Sequence, residues 1–353
     1  MTPVRIRHPA HDARRAQGLP YGAVPCLRDL PLSTPPPSDA ASAPRPAAWR
    51  FVVNAASGRH DREQTRQRVE AALQAAGQAG TIEFAPPGRL AAVCDAAAAA
   101  CRQDGGTLVA VGGDGTLNAV AHAAWQAGCT LGVVPQGTFN YFARSHRIPT
   151  DPDAALAALF GARPTPVQVG RVNGHVFLVN ASLGLYPDLL EDREAWKSRL
   201  GRSRLVAAGA ALATLLGEHR RLRLAVEFAG KTRVVRTQTL FVGNNRLQFE
   251  QVGLPQAGAV EEGRIGAVML RPIGSWRMLG LLLRGAFGRL GDADTVESFS
   301  FERMVVRPWL RSGTQIKLAY DGEVLRVRPP VVFEVAPRPL MLLLPEAPRQ
   351  DEG

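Results

Sequence analysis

The 353-residue chain contains almost no lysine. Only Lys197, Lys231 and Lys317 are lysines, and the other 39 of its 42 basic residues are arginines. Because no lysine precedes residue 197, the phosphate-binding lysine of a P-loop has no candidate in the N-terminal half. The formal net charge of +11 favours an anionic partner such as a phosphate, a nucleic acid or an acidic membrane surface. An arginine-rich surface that is merely solvated would carry the same charge.

Cysteine is also scarce. The four cysteines are Cys26, Cys94, Cys101 and Cys129, and no two of them form a Cys-x-x-Cys pair. This excludes the common zinc-binding patterns. Cys94 and Cys101 are seven residues apart, which predicts two small core residues on one helix of a reduced, cytoplasmic chain.

Long apolar segments are missing as well. The longest run, Leu205–Leu216, is about half of the roughly 20 residues that a membrane-spanning helix needs. The N-terminus has arginines but no apolar stretch typical of a signal peptide. The sequence therefore predicts a soluble or peripheral protein.

Composition divides the chain into four parts. Residues 1–48 hold 10 of the 27 prolines and little apolar periodicity, which predicts a disordered basic leader. Residues 49–165 are expected to form an α/β domain, and residues 166–345 a β-rich domain whose last strands may pair back with the first domain. Residues 346–353 are expected to be a flexible tail.

In the first domain, short apolar strands alternate with helices. We expect strands at 49–54, 81–84, 107–111 and 131–134, with helices at about 63–76, 90–102 and up to 127 between them. A further helix should begin at Pro152, capped by Asp151. This alternation is typical of a doubly wound, parallel sheet that is covered on both faces.

The second domain is predicted to be antiparallel and sandwich-like. Asn173-Gly174 and Asp321-Gly322 are strong signals for two-residue hairpin turns. They predict hairpins of 167–172 with 175–180 and of 316–320 with 324–327. A third hairpin is expected from 222–228 and 232–242, and a further strand from 265–270.

Three glycines stand within four residues where a predicted strand meets a predicted helix, in Gly112-Gly113-Asp114-Gly115-Thr116. Glycine lets the backbone turn sharply and approach a ligand, and free N–H groups at the start of a helix attract anions. Asn118 stands where the dinucleotide-binding pattern needs a third glycine. The segment predicts a phosphate-binding turn with Asp114 as a partner for Mg²⁺ or a hydroxyl; a tight turn without a ligand is the alternative.

A second strand leads into Gly137-Thr138. Adjacent parallel strands would bring this loop and the glycine turn to the same carboxyl edge of the sheet, where ligands of such folds bind. Thr138 could then contact a phosphate.

Four segments together resemble the diacylglycerol kinase catalytic-domain family, which includes bacterial lipid kinases and the sphingosine and ceramide kinases. They are the loop from Asn54 to Ser57-Gly58, the glycine turn through Asn118, the run from Pro135 to Arg144, and Asp321-Gly322-Glu323. The similarity covers about residues 50–345. It implies an ATP-dependent lipid kinase with its site in the cleft between a nucleotide domain and a β-rich domain.

The resemblance also implies roles for individual residues. Glu323 matches the proton acceptor. The chemistry of phosphoryl transfer then makes Asp321 its partner or a Mg²⁺ ligand, and Asp114 a second acidic contact and metal ligand. Arg144 is a candidate to neutralise phosphate charge. The positions expected to bind ATP are Asn54, Ser57, Gly112, Gly113, Asp114, Gly115, Thr116, Asn118, Gly137, Thr138 and Arg144.

The sequence departs from the family pattern at three places. Tyr141 stands where the family usually has an aspartate, which removes a carboxylate expected near Mg²⁺. Gly266 stands where an acidic ligand of a structural Mg²⁺ is usual, and Glu261 or Glu262 would fill only part of that role. We therefore expect that structural ion to be weakened or absent. The loop after Asn54 lacks a proline that is often found there.

The expected partners are ATP and a lipid alcohol at the membrane surface, with diacylglycerol as the first candidate and peripheral membrane association from the cytoplasm. Basic segments at 196–204 and 275–290 could meet anionic headgroups or could be a solvated helix end and a helix packed on a sheet. No recognisable nucleic-acid module is present. A catalytically silent binding protein and a soluble kinase acting on NAD are the alternatives. Whether the chain forms a homodimer stays open.

Overall fold

The computed structural model describes residues 48–54, 59–184, 221–274, 294–309 and 313–346, together with the single positions 187, 277 and 280. Several sequence predictions lie outside these ranges. They are the leader before residue 48, the loop residue Ser57, the basic segment 196–204, the apolar run 205–216, most of the segment 275–290, and the tail after residue 346.

A six-stranded sheet forms the first layer of the fold, in the order β2-β1-β3-β4-β18-β5. Its first four strands are parallel, β18 is parallel to β4, and β5 is antiparallel to β18. The strands are β1 (Trp49–Asn54), β2 (Gly80–Ala85), β3 (Thr107–Gly112), β4 (Thr130–Pro135), β5 (Arg163–Val167) and β18 (Leu340–Leu344).

Helices cover both faces of this sheet. They are α1 (Arg59–Ala75), α2 (Leu90–Asp104), α3 (Asp114–Ala127), α4 (Tyr141–Ser145) and α5 (Pro152–Leu159). Asp151 caps α5 as expected, since its carboxylate accepts a hydrogen bond from the N–H of Ala154 at 2.9 Å. Cys94 and Cys101 are buried on α2, where burial raises the pKa of their thiols to about 12 and about 11.

Alternate side chains of the parallel strands serve two separate cores. Val52 and Ala110 point into the core that α2 and α3 share, whereas Phe51 and Val109 point into the core beneath α1 and α5. Strands that are apolar on both sides are stable only when both faces are covered. The predicted doubly wound α/β layer is confirmed.

Two antiparallel sheets form the β-rich part. One has the order β10-β9-β14-β17-β6-β7 and the other β13-β12-β11-β8-β15-β16. Buried residues of both sheets, Leu224 and Val306 from the first and Leu240 and Leu318 from the second, belong to one core, so the sheets pack face to face as a sandwich. The antiparallel β-rich prediction is confirmed as well.

The strands of the sandwich follow in chain order, with two short helices. They are β6 (Gly170–Val172), β7 (His175–Phe177), β8 (Asn180–Gly184), β9 (Leu222–Phe228), β10 (Lys231–Thr237), β11 (Thr239–Gly243), α6 (Arg246–Gln251), α7 (Gln256–Glu261), β12 (Ile265–Leu270), β13 (Val296–Phe301), β14 (Arg303–Pro308), β15 (Ile316–Tyr320), β16 (Glu323–Val327) and β17 (Val331–Val335).

Both predicted Asx-Gly hairpin turns are present. Asn173 and Gly174 have φ of 45° and 90°, and Asp321 and Gly322 have φ of 42° and 90°. These left-handed values at both central residues are those of the two-residue turns that match strand twist. The first hairpin is shorter than predicted, because residue 167 belongs to β5 and Asn180 begins β8 in the other sheet.

The strand predicted over 232–242 is wrong as a single element. It divides at Gln238, where the chain passes from one sheet of the sandwich to the other. The hydroxyl of Thr237 donates to the carbonyl oxygen of Leu270 at 2.7 Å, and the side chain of Gln238 bonds the backbone of Ile273. These bonds replace the regular ladder and turn the chain.

Within the part of the chain that the structure describes, no helix combines the length and apolarity required to cross a membrane.

Candidate active site

The glycine turn joins β3 to α3. Gly113 precedes the first residue of α3 in an extended conformation, so the N–H groups of the first helical turn are available to an anion. A Cβ atom at Gly112 would lie 2.8 Å from the Cβ of Thr116. Only glycine therefore allows this strand to meet its helix so closely.

The neighbouring loop follows β4 and touches the glycine turn. A Cβ atom at Gly137 would lie 3.0 Å from the Cα of Gly113, and the N–H of Gln136 donates to the carbonyl of Gly112 at 2.8 Å. Asn140, which has φ of 48°, closes this loop with two bonds to the backbone of Gly137 at 2.9 and 3.0 Å. The predicted meeting of the two loops at one edge of the sheet is thus observed.

The Asp321-Gly322 turn carries a carboxylate into the interior. The Asp321 side chain is buried, and its oxygens accept hydrogen bonds from the N–H groups of Leu178, Val179 and Asn180 at 2.6–2.9 Å. A fourth bond, of 2.7 Å, comes from the Asn118 amide. Burial raises the pKa of Asp321 to about 6, and the four donors oppose that rise by stabilising the charge.

This arrangement revises the predicted role of Asp321. A carboxylate offers about four acceptor positions, and four N–H groups take them. The geometry therefore does not support Asp321 as a Mg²⁺ ligand. It makes Asp321 an anchor that fixes the hairpin on the loop between β7 and β8.

Asn118 joins the two halves of the molecule. From the second turn of α3, its amide nitrogen donates both to Asp321 and to the carbonyl of Val176, the latter at 2.9 Å. Its side chain is buried. The structure thus gives Asn118 a positioning role between α3 and the hairpin, and it does not place this residue on the cleft wall.

The Asp321 anchor directs Glu323 toward the glycine turn. A Cβ atom at Gly115 would lie 3.3 Å from Oε1 of Glu323, so this carboxylate covers the start of α3. Glu323 itself is exposed. Although Asp321 and Glu323 are only two residues apart, their environments differ. The Asp321 carboxylate is buried and bound by the backbone, whereas the Glu323 carboxylate is exposed in the cleft.

Asp114 offers a second carboxylate to the cleft. Its Oδ1 atom is buried without a hydrogen-bond partner. Burial raises the pKa of Asp114, partly offset by a hydrogen bond from the backbone of Asn140. A buried acceptor without a partner is costly, which is the condition expected of an oxygen that a bound cation or hydroxyl would satisfy.

These segments line one cavity of about 690 Å³ between the parallel sheet and the sandwich. No arginine or lysine is among the described residues that line it. The lining residues are Gly113, Asp114, Gly115, Leu117, Gly137, Thr138, Phe139, Tyr141, Phe142, Leu178, Val179, Asn180, Phe241, Gln248, Asp321, Gly322 and Glu323.

The cavity brings most of the predicted site together, with exceptions. Arg144 is exposed, with its guanidinium 5.9 Å from the ring centre of Tyr141, and it does not line the cavity. Asn54 ends β1 and is not a lining residue either, and Ser57 lies outside the described residues. Thr116 is buried behind the turn.

Sequence reasoning missed Asn180. Its Oδ1 atom is buried without a partner, while its amide nitrogen donates to Gln248 at 3.2 Å. The only signal in the sequence is a polar residue at the start of an otherwise apolar strand, and this signal is weak. Asn180 gives the cleft an acceptor opposite the glycine turn.

Tyr141 contributes an aromatic surface where an aspartate was expected. Its ring stacks on that of Phe139, with centres 5.8 Å apart and planes 8° apart, and its hydroxyl lies 3.3 Å from Oε1 of Gln251. Phe139 is 51% exposed. The mouth of the cleft is therefore apolar on this side.

Other groups fill the region around Gly266, where the family usually has an acidic ligand of a structural Mg²⁺. A Cβ atom at Gly266 would lie 2.5 Å from the ring of Phe249, so an acidic side chain does not fit there. Glu261 is paired with Arg246, and Glu262 with Arg264. The donor set of this region does not fit a structural Mg²⁺.

Comparison with known proteins agrees with this geometry. The signature of the family described as "Diacylglycerol kinase catalytic domain" matches residues 48–172. A protein of Pseudomonas aeruginosa named "Probable lipid kinase YegS-like" is 33% identical over 261 residues, which cover 69% of this chain and 81% of that protein.

Two further relatives cover the chain differently. A diacylglycerol kinase of Staphylococcus saprophyticus is 31% identical over 137 residues, 38% of this chain and 44% of that protein. The crystal structure of a diacylglycerol kinase from Bacillus anthracis superimposes with a TM-score of 0.60 at 16% identity, covering 85% of this chain and 97% of that one. The last similarity establishes the fold.

Proposed function

Because the chain belongs to the diacylglycerol kinase-like lipid kinase family, we propose that it transfers the γ-phosphoryl group of ATP to a lipid hydroxyl, with diacylglycerol as substrate and phosphatidate as product. The observation that carries this proposal is the close approach of Glu323 to the start of α3, where a Cβ atom added to Gly115 would lie 3.3 Å from Oε1 of Glu323. This approach supports a role for the Glu323 carboxylate as proton acceptor, because the N–H groups at the start of α3 are suited to phosphates. Phosphoryl transfer to an alcohol requires those two parts next to each other.

The parallel sheet supplies the nucleotide side. Gly113 and Gly137 bring two backbone segments into contact, and neither has a side chain that would fill the space between turn and loop. N–H groups at the start of α3 would hold phosphate oxygens, and the hydroxyl of Thr138 would add a further donor. These residues bind and orient ATP.

The donor set of the cleft fits one Mg²⁺ ion. Mg²⁺ is usually held by one or two carboxylates together with substrate phosphates, and Asp114 presents a buried oxygen without a partner. We assign Asp114 as the carboxylate that would hold this ion. When bound, Mg²⁺ would neutralise phosphate charge, a need made acute because no described lining residue is basic.

The sandwich supplies the acceptor side. Glu323 would take the proton of the lipid hydroxyl while the hydroxyl oxygen forms its bond to the γ-phosphorus. The bond from that phosphorus to the bridging oxygen of ADP breaks, and ADP leaves with the electron pair. The Oδ1 atom of Asn180 offers a hydrogen-bond acceptor that would orient the hydroxyl before transfer.

Diacylglycerol matches a cleft that is acidic at Glu323 and aromatic at its mouth. Its single hydroxyl would reach Glu323, while its apolar part would meet Phe139 and Tyr141 at the mouth. A substrate of this kind is reached at a membrane surface, so the proposal includes peripheral association with a bilayer.

One observation favours a second candidate, a catalytically silent protein that binds nucleotide or lipid. Tyr141 stacks on Phe139 where the family usually has a carboxylate, and an uncharged phenol does not replace a carboxylate near Mg²⁺. Tyr141→Asp separates the candidates: activity that appears only in this variant would support the silent protein, whereas an active wild type excludes it.

The test of the proposal is direct. Purified protein is incubated with Mg-ATP and mixed micelles that contain diacylglycerol, ceramide or sphingosine, and with NAD in solution. We expect labelled phosphate in diacylglycerol, lost in Glu323→Gln and retained in Glu302→Gln, a second exposed glutamate. Transfer to none of the lipids would contradict the proposal, and transfer to NAD would indicate the soluble kinase.

A further inference from the structure

One outer face of the sandwich combines exposed apolar side chains with arginines. Across β14, β9 and β10, Trp309 lies beside Arg223, which is paired in register with Arg236. The adjacent row runs from Arg307 through Ala225 to Val234. We define the Trp309 face by these residues: Arg223, Val234, Arg236, Arg307 and Trp309.

The Trp309 face is unusual for its apolar exposure. Only three large hydrophobic residues are exposed among those the structure describes, and two of them, Trp309 at 57% and Val234 at 54%, lie here. The third is Phe139 at the cleft. Tryptophan with an exposed ring is typical of protein interfaces and of the boundary between water and lipid.

The charge of the face has one dominant sign. The guanidinium of Arg223 lies 3.3 Å from the centre of the Trp309 ring, and Arg236 is exposed. Arg307 pairs with Glu227 at 2.7 Å. Among the described residues neither Arg223 nor Arg236 has a carboxylate within ion-pair distance. Within the described part of the chain, the face therefore carries more arginine than carboxylate.

The position of the face is set by the ends of several strands. Gly184 lies close to Leu222, since a Cβ atom added at Gly184 would lie 3.1 Å from the Leu222 side chain. The backbone N–H of Gln238 bonds Leu270 at 3.0 Å in the same region. Gly184 ends β8 and Leu222 begins β9, so both lie next to Arg223 at the end of the sandwich opposite Asn180, which lines the cleft.

We propose that the Trp309 face docks the protein on a bilayer that carries anionic lipids. Trp309 and Val234 would enter the headgroup region, while Arg223 and Arg236 would face the negatively charged headgroups, whose attraction falls off within a Debye length. This inference rests on the proposed function, because a kinase for diacylglycerol must reach a substrate that stays in the membrane. It assigns the contact to a surface separate from the active site.

The test measures binding of the full chain to vesicles without ATP, so it does not depend on catalysis. Vesicles of phosphatidylcholine with phosphatidylglycerol are compared with vesicles of phosphatidylcholine alone by flotation. The wild type is expected to prefer the anionic vesicles. Arg223→Glu/Arg236→Glu should weaken that binding at least about tenfold, because it reverses two charges at the surface.

Matched variants show whether the effect belongs to this face. Arg89→Glu/Arg102→Glu changes the net charge equally at two exposed arginines of the parallel-sheet half and should bind nearly as the wild type does. Trp309→Ala, with no change in charge, should weaken binding about fivefold by removing apolar contact. Transfer to diacylglycerol in detergent micelles should be unchanged in all of these variants.

Several outcomes would overturn the inference. Equal losses in both double variants would show that only net charge matters. Unchanged vesicle binding in Trp309→Ala, together with altered sedimentation, would show that the face binds a second copy of the chain. If vesicle binding follows the prediction but no lipid is phosphorylated, the docking face stands and the proposed function fails.

Discussion

The glycine turn at 112–118 and the hairpin at 320–323 face each other across the cleft, and they are built in opposite ways. The turn offers mainly backbone, because Gly113 and Gly137 allow two loops to touch. The hairpin offers side chains, one carboxylate buried under four hydrogen bonds and one left exposed. In the proposed reaction, the main chain of the turn would bind phosphate, and Glu323, held in place by Asp321, would take the proton.

The largest effect is expected at Glu323. Glu323→Gln keeps the shape of the side chain and removes its ability to take a proton, so kcat for lipid phosphorylation should fall by about 10²–10⁴-fold. Steady-state kinetics at saturating Mg-ATP measure this change. Glu302→Gln, at an exposed position outside the cleft, should keep the wild-type kcat. A normal kcat in Glu323→Gln would show that Glu323 does not accept the proton in the reaction.

Asp321→Asn should have the next largest effect, through the fold of the site. An amide turns one acceptor oxygen into a donor, so two of the four N–H groups lose their partner. The free energy of unfolding should fall by about 2–5 kcal/mol, as measured by urea denaturation. Asp151→Asn, which alters a carboxylate with one backbone bond at an exposed helix cap, should cost little, because asparagine caps helices equally well.

The loss of stability in Asp321→Asn should depend on pH. Burial raises the folded-state pKa of Asp321 from 3.8 to about 6. A raised pKa means that the folded chain binds this proton more tightly than the unfolded chain, so Asp321 stabilises the fold most below about pH 4 and least above about pH 6. The difference in unfolding free energy between wild type and Asp321→Asn should widen by up to about 3 kcal/mol as pH falls from about 7 to about 4.

The opposite pH dependence would contradict the raised pKa of Asp321. If the difference narrows as pH falls, the four N–H donors lower the pKa of Asp321 more than burial raises it, and the carboxylate is charged throughout. Urea denaturation of both proteins at several pH values decides between the two results.

A smaller effect is expected at the glycine turn. A Cβ atom at Gly137 would lie 2.7 Å from Oδ1 of Asn140 and 3.0 Å from the backbone of Gly113. Gly137→Ala should therefore separate the two loops and raise KM for ATP about tenfold, or about 1.4 kcal/mol, with little change in kcat. Gly161→Ala, where nothing lies within 4 Å, is the matched control. A lower kcat with unchanged KM would contradict the proposal that the glycine turn binds ATP while the hairpin takes the proton.

Local sequence rules predicted the parts of the fold that depend on a few neighbouring residues. Asp321-Gly322 predicted a turn with two left-handed residues, and Asp151-Pro152 predicted a capped helix; both are confirmed. Three glycines between a strand and a helix likewise predicted a turn with an available helix start. In each case the backbone preference of one or two residues sets the geometry.

The remaining features depend on partners far away in sequence. Asp321 is buried because N–H groups of residues 178–180 bind it, more than 140 positions earlier in the chain. The break between two strands at Gln238 depends on its backbone hydrogen bond to Leu270. The ring of Phe249 leaves no space for a larger side chain at Gly266. A sequence motif identifies both acids of Asp-Gly-Glu as candidates, and only tertiary packing shows that Asp321 is buried and that Glu323 is exposed.

The division of work between the glycine turn and the hairpin can be tested by the equilibrium Kd of Glu323→Gln for Mg-ATP. If the turn holds the nucleotide and the hairpin only takes the proton, this variant should bind ATP within about twofold of the wild type while its transfer is lost. A Kd raised as much as transfer is lowered would contradict the account, because it would make Glu323 part of the nucleotide-binding side.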